Sequence, residues 1–110
     1  VSAAAEGDPA AGEKVFRKCK ACHMVGDDAK NRVGPVLNGI VGAPVAAVDG
    51  FTYSDVFQEK AAEGAVWSEQ ELAAFLASPR KYAKGTKMAF AGLRKDEEIA
   101  DVIAYLATFE

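Results

Sequence analysis

The sequence predicts an all-α fold of four or five helices, and three observations carry that expectation. Apolar residues recur at helical spacing near both ends of the chain, and a helix-capping pattern stands between them. The intervening segments are rich in glycine rather than in alternating, strand-like residues. At 110 residues the chain supports one domain with one modest core. We assign residues 8–110 to that domain. The small, polar stretch Val1 to Gly7 is expected to be a mobile end.

Asp8 is placed to cap the first helix, with Pro9 in its first turn. Gly12, Val15, Phe16 and Cys19 follow at i, i+3, i+4 and i+7, one face of a helix that would deliver Cys19 inward. Five glycines and two prolines between Gly26 and Gly50 make that region mostly loop. A short helix is expected after Ser54. Ser68-Glu69-Gln70-Glu71 has the form of a capping box, and Trp67 with Leu72 can form the hydrophobic staple around it. That helix should run to Ala77 and stop before Ser78-Pro79, which can start another short turn ending at Gly85. The last helix should begin at Asp96, where Glu97 and Glu98 suit the positive end of the helix dipole. Ile99, Val102, Ile103 and Leu106 line one face of it, extended by Tyr105.

Cys19-Lys20-Ala21-Cys22-His23 is the chemical centre of the sequence. Two cysteines three residues apart followed by histidine is the attachment pattern of a c-type haem, in which both thiols bond the porphyrin and the imidazole ligates iron. A bare CxxC is shared by redox dithiols and half zinc sites, but no further cysteine is present and no βαβ pattern surrounds this one. His23 is the only histidine, so a second axial ligand must come from elsewhere. Met24 adjoins His23 on the same side, which leaves Met88, 65 residues downstream of His23, as the candidate. Thioether ligation favours ferrous iron, and six-coordinate iron has no site for substrate or gas. Gly34-Pro35 offers two readings: a loop turn, or a carbonyl at Pro35 that orients the ligating imidazole.

The net charge of −3 hides a segregation. Twelve of the thirteen basic residues fall within Lys14–Arg32 and Arg80–Lys95, the windows that also carry the candidate iron ligands. Asp49–Glu71 carries six acids against Lys60 alone, and Asp96–Glu110 carries five acids and no base. If the basic windows fold together, the molecule has a positive docking face and a negative back. The acidic composition and missing nucleic-acid motifs argue against DNA or RNA as partner. No stretch approaches the ~20 apolar residues needed to cross a bilayer.

Taken together, Cys19-Lys20-Ala21-Cys22-His23, Gly34-Pro35, Gly50-Phe51-Thr52-Tyr53-Ser54, Gly85-Thr86-Lys87-Met88 and Ile103-Ala104-Tyr105-Leu106 resemble the class I cytochromes c, in particular the short alphaproteobacterial relatives of mitochondrial cytochrome c. The resemblance runs from about Asp8 to Phe109. It implies the cytochrome c fold, with helices wrapped around one covalently attached haem and the N- and C-terminal helices crossing at Gly12, Phe16, Val102 and Tyr105. Cys19 and Cys22 would hold the haem, His23 and Met88 its iron, and the Pro35 carbonyl would bond His23. Tyr53 and Trp67 match positions that bond a haem propionate, while Thr86 and Phe90 belong to the haem surroundings.

The implied activity is one-electron shuttling from a cytochrome bc complex to a terminal oxidase or photosynthetic reaction centre, without catalysis. Lys14, Arg17, Lys18, Lys20, Lys81, Lys84 and Lys87 would form the docking ring. Haem attachment outside the cytoplasm implies an exported, periplasmic monomer, or the haem domain of a cytochrome whose membrane anchor lies upstream. The rival from another class is a haem enzyme or gas sensor in which Met88 leaves easily. Two departures from the mitochondrial pattern both lower the expected reduction potential. Ala43 replaces an arginine near a propionate, and Phe75 replaces a tyrosine whose hydroxyl approaches the methionine sulfur.

Overall fold

The structure, a computed structural model, describes residues 7–109. Five helices follow one another: α1 Pro9–Phe16, α2 Asp55–Ala62, α3 Glu69–Ala77, α4 Pro79–Tyr82 and α5 Asp96–Ala107. Among the described residues no strand forms. A single antiparallel bridge, Pro44 to Val66, ties the central loop to the entrance of α3.

Asp8 caps α1 as its sequence context requires, its carboxylate accepting the Ala10 N–H at 3.0 Å. The helix ends at Phe16, one turn short of the apolar stripe that continues to Cys19. Beyond it the N–H groups of Lys18 and Cys19 bond the carbonyls of Val15 and Phe16, three residues back. In that tighter winding residues three apart eclipse one another, so Cys19 still lies over Phe16 and packs against the core.

Helix α1 crosses α5 at Gly12. A Cβ there would run into the Asp101 carbonyl and lie 2.8 Å from the Cβ of Tyr105, so only glycine lets the two backbones meet. Phe16 packs on Tyr105 with ring centroids 5.5 Å apart, and Phe16, Val102 and Ile103 are essentially inaccessible to solvent. The contact extends one residue past the helix, because the Asp8 N–H donates to the Asp101 carboxylate at 2.9 Å. Gly7, the last residue of the expected mobile end, already lies against the Ala100 backbone. Residues 1–6 of that expectation fall outside the described residues.

The second half of the core is aromatic. Phe57 of α2, Trp67 before α3, Phe75 of α3 and Tyr82 of α4 form one cluster with centroid separations of 5.2–5.9 Å. Ser78 takes an extended backbone (φ −159°, ψ 87°), as a residue before proline must, and Pro79 starts α4. The capping box of α3 closes on one side only. Ser68 Oγ accepts the Glu71 N–H at 3.1 Å, but the Glu71 carboxylate turns away to accept from Tyr82 Oη at 2.6 Å. Helix α5 starts at Asp96 with three acids in its first turn and no side-chain cap.

Candidate haem-binding site

The turn after α1 brings Cys19, Cys22 and His23 together. The His23 N–H returns to the Cys19 carbonyl at 2.9 Å, and the Cys22 N–H reaches the same oxygen at 3.1 Å. Both cysteines are half-buried and are not joined to one another. Burial, with the neighbouring Cys22 second and Lys18 opposing, pushes the Cys19 thiol up to about 11.

A second strip of chain, residues 34–37, is laced to this turn. The Gly34 N–H donates to the Cys22 carbonyl at 2.8 Å and the Leu37 N–H to the Met24 carbonyl at 3.1 Å. Between those two rungs His23 Nδ1 lies 2.8 Å from the Pro35 carbonyl oxygen. A carbonyl can only accept, so Nδ1 carries the proton and Nε2 keeps its lone pair. Burial lowers the pKa of the ring, partly offset by the Pro35 bond, and the neutral form is the one a metal takes. The Pro35 carbonyl therefore meets the imidazole, the contact that an orienting role requires. Gly34 has its own steric reason: a Cβ would stand 2.7 Å from both ring nitrogens of His23.

Two asparagines that the sequence did not single out hold the strips in place. Asn38 exchanges reciprocal 2.8 Å bonds with the backbone of Gly26, and Asn31 bridges the Val36 N–H to the Asp49 carbonyl at 3.0 Å each. Asparagine in a glycine-rich loop was the available signal, since its amide can satisfy a donor and an acceptor together.

Met88 lies half-buried in the loop between α4 and α5 and packs against the core, as does Phe90. Thr86 Oγ1 receives the Met88 N–H at 3.3 Å. Tyr53 Oη accepts the Val48 N–H at 3.0 Å, so its own proton remains available to a further acceptor. Trp67 is buried in the aromatic cluster. Phe75 offers no hydroxyl, and that of Tyr82, also in the cluster, is committed to Glu71. Ser54 was read as the residue that a short helix follows and as the end of the Gly50–Ser54 motif. It is buried, makes no side-chain cap to α2, and instead accepts the Lys87 N–H at 2.8 Å.

Of the docking candidates, Lys14, Arg17, Lys18, Lys20, Lys81, Lys84 and Lys87 are all exposed. Lys18 is paired with Glu98 of α5 at 3.5 Å. Lys84 and Lys87 line, together with Ser54, Asp55 and Glu59, a pocket of about 370 Å³.

The donor set and its supports match a haem bound through thiols with one imidazole ligand. The chain belongs to the cytochrome c family, whose model matches residues 9–110. It is a c-type cytochrome, a one-electron carrier with one covalently attached haem. It is 52% identical over 101 residues to cytochrome c-550 of Ancylobacter novellus, covering 92% of this chain and 94% of that one. It is 48% identical to cytochrome c2 of Agrobacterium tumefaciens, covering 92% and 91%. Among solved structures, cytochrome c2 from Rhodospirillum centenum superposes with a TM-score of 0.86 at 42% identity, covering 94% of this chain and 98% of that one. Cytochrome cH from Methylobacterium extorquens does so with a TM-score of 0.84 at 45% identity, covering 93% and 99%.

Proposed function

We infer that Cys19 and Cys22 would hold the haem through thioether bonds and that His23, through Nε2, and the Met88 sulfur would ligate its iron. The 2.8 Å contact between His23 Nδ1 and the Pro35 carbonyl carries this reading. It sets the tautomer and, with Gly34 against the ring, holds one ring orientation. When bound, haem supplies a ferrous–ferric couple and no bond-making chemistry of its own here. With two side chains as ligands, this chain leaves the metal no position for substrate, so the protein carries electrons and transforms nothing. Tyr53, Trp67, Thr86 and Phe90 surround the cofactor.

The carrier works in an exported compartment, taking electrons from a cytochrome bc complex and passing them to a terminal oxidase or photosynthetic reaction centre. Lys14, Arg17, Lys20, Lys81, Lys84 and Lys87 steer it to acidic partner surfaces. Lys18 contributes less to that ring, because Glu98 already compensates its charge. Rim charges act through the association rate, so oxidation by an acidic partner slows as salt rises when association limits turnover.

The test of ligation is the weak near-infrared sulfur-to-iron charge-transfer band of the ferric holoprotein. The band should be present in the native protein and absent from Met88→Ala. A native protein with attached haem and no such band has another ligand or an open site, and the enzyme or sensor reading replaces this one.

A further inference from the structure

Asparagine followed by glycine occurs once in the chain, at Asn38-Gly39. Such a pair carries chemistry of its own. The backbone nitrogen of the second residue can attack the side-chain amide carbon of the first, and glycine, having no Cβ, leaves that approach unhindered. Asn31, the other asparagine, is followed by Arg32, whose side chain crowds the same approach.

The fold holds both reacting groups of the pair. Asn38 Oδ1 accepts the Gly26 N–H and Asn38 Nδ2 donates to the Gly26 carbonyl, each at 2.8 Å, so both ends of the amide are engaged with residue 26. The Gly39 N–H donates to the Phe109 carbonyl at 2.5 Å, just beyond the end of α5. A nitrogen that gave up this proton would aim its lone pair at a carbonyl oxygen, so the bond opposes the ionisation that attack requires. Burial contributes nothing here, because Asn38 is exposed and water and hydroxide reach it.

We propose that Asn38-Gly39 is a deamidation site that these three hydrogen bonds mask, and that it reacts when the Gly26 and Phe109 contacts open. Hydroxide takes the Gly39 proton, and the nitrogen forms a bond to Asn38 Cγ. The Cγ–Nδ2 bond breaks, and ammonia leaves with a proton from water, which regenerates the hydroxide. Water then opens the cyclic imide at either carbonyl, giving aspartate or isoaspartate. The sum is asparagine and water giving acid and ammonia, with no change of oxidation state. Aspartate keeps an acceptor for the Gly26 N–H but has no donor for the Gly26 carbonyl, and isoaspartate lengthens the backbone before Gly39. Either product weakens the tie beside the strip that supports His23.

The test follows the replacement of NH2 by OH at Asn38 by peptide mass mapping, at mildly alkaline pH. It compares the folded holoprotein with the same protein unfolded in guanidinium. Unfolded, Asn38 should react before Asn31. Folded, it should react at least about tenfold more slowly, since each hydrogen bond contributes about a two- to tenfold factor. Amide hydrogen exchange at Gly39 should be protected by a comparable factor, and both effects should fade together as denaturant is raised below the unfolding transition. Equal rates in folded and unfolded protein would overturn the masking. So would slow reaction in a folded protein whose Gly39 N–H exchanges freely, because the protection would then have another source. Unfolded protein that reacts first at Asn31 would overturn the site itself. These readouts do not depend on how the iron is ligated.

Discussion

Gly34 lies flat against the imidazole of His23, where a single added carbon would stand 2.7 Å from both ring nitrogens. The ring cannot retreat without breaking its 2.8 Å contact with the Pro35 carbonyl, and Gly34 is itself tied to the Cys22 carbonyl. Gly34→Ala should therefore destabilise the ferric holoprotein by about 1–3 kcal/mol, as overpacking in a rigid site does. Chemical denaturation followed at the haem absorbance measures it, and an unchanged midpoint would show that the ring has room to move.

Gly12 faces backbone where Gly34 faces a side chain. The Asp101 carbonyl and the Tyr105 Cβ that would meet its Cβ are both fixed in α5. We expect Gly12→Ala to separate α1 from α5 and cost at least about 2 kcal/mol in denaturant unfolding. The gain in helix propensity of alanine over glycine, ~1 kcal/mol, is too small to reverse the sign.

Tyr82 should be a late-titrating tyrosine. Burial first, then its bond to Glu71 and the charge of that carboxylate, push its pKa up to about 12 from the usual 10. Above pH 10 the folded chain therefore holds a proton that the unfolded chain has released. The associated stability is fully present below pH 10 and is lost as pH rises through about 12. Ultraviolet titration of the phenolate should show this, and Glu71→Gln should move the transition to lower pH. Lys60, whose ammonium lies 4.5 Å from the centre of the same ring, provides a cationic neighbour that remains in the variant.

Phe75 leaves the aromatic cluster without a hydroxyl to spare, because that of Tyr82 is held by Glu71. Introducing a donor with Phe75→Tyr should raise the reduction potential by roughly 20–60 mV, the equivalent of one hydrogen bond of ~1 kcal/mol for a one-electron couple. Redox titration of both proteins checks it. A potential that stays put or falls would place Phe75 away from the methionine sulfur and remove one of the two reasons, the other being Ala43, for expecting a potential below the mitochondrial type.

The elements were legible where their signals are local. Asp8-Pro9, Ser68 and Ser78-Pro79 punctuate α1, α3 and α4 at the expected residues, because a cap or a proline acts on backbone groups within one turn. The end of α1 was not legible. An apolar stripe through Cys19 fits both an α-helix and the tighter turns that follow Phe16, and the periodicity does not distinguish them.

By itself the sequence determined the chemistry of this protein: two thiols and an imidazole at haem-attachment spacing, one remaining thioether well downstream, and helices able to enclose a cofactor. Those properties depend on residue type and short spacing. The tertiary structure decided which partner each polar side chain takes. Ser54 and Glu71 both hold cap-like positions, yet the hydroxyl of one goes to Lys87 and the carboxylate of the other to Tyr82. Asn31 and Asn38 became clasps across the loops that support His23. A buried hydroxyl or an amide takes whatever donor or acceptor the packed chain brings within about 3 Å, and that proximity is set by the core rather than by neighbours in sequence.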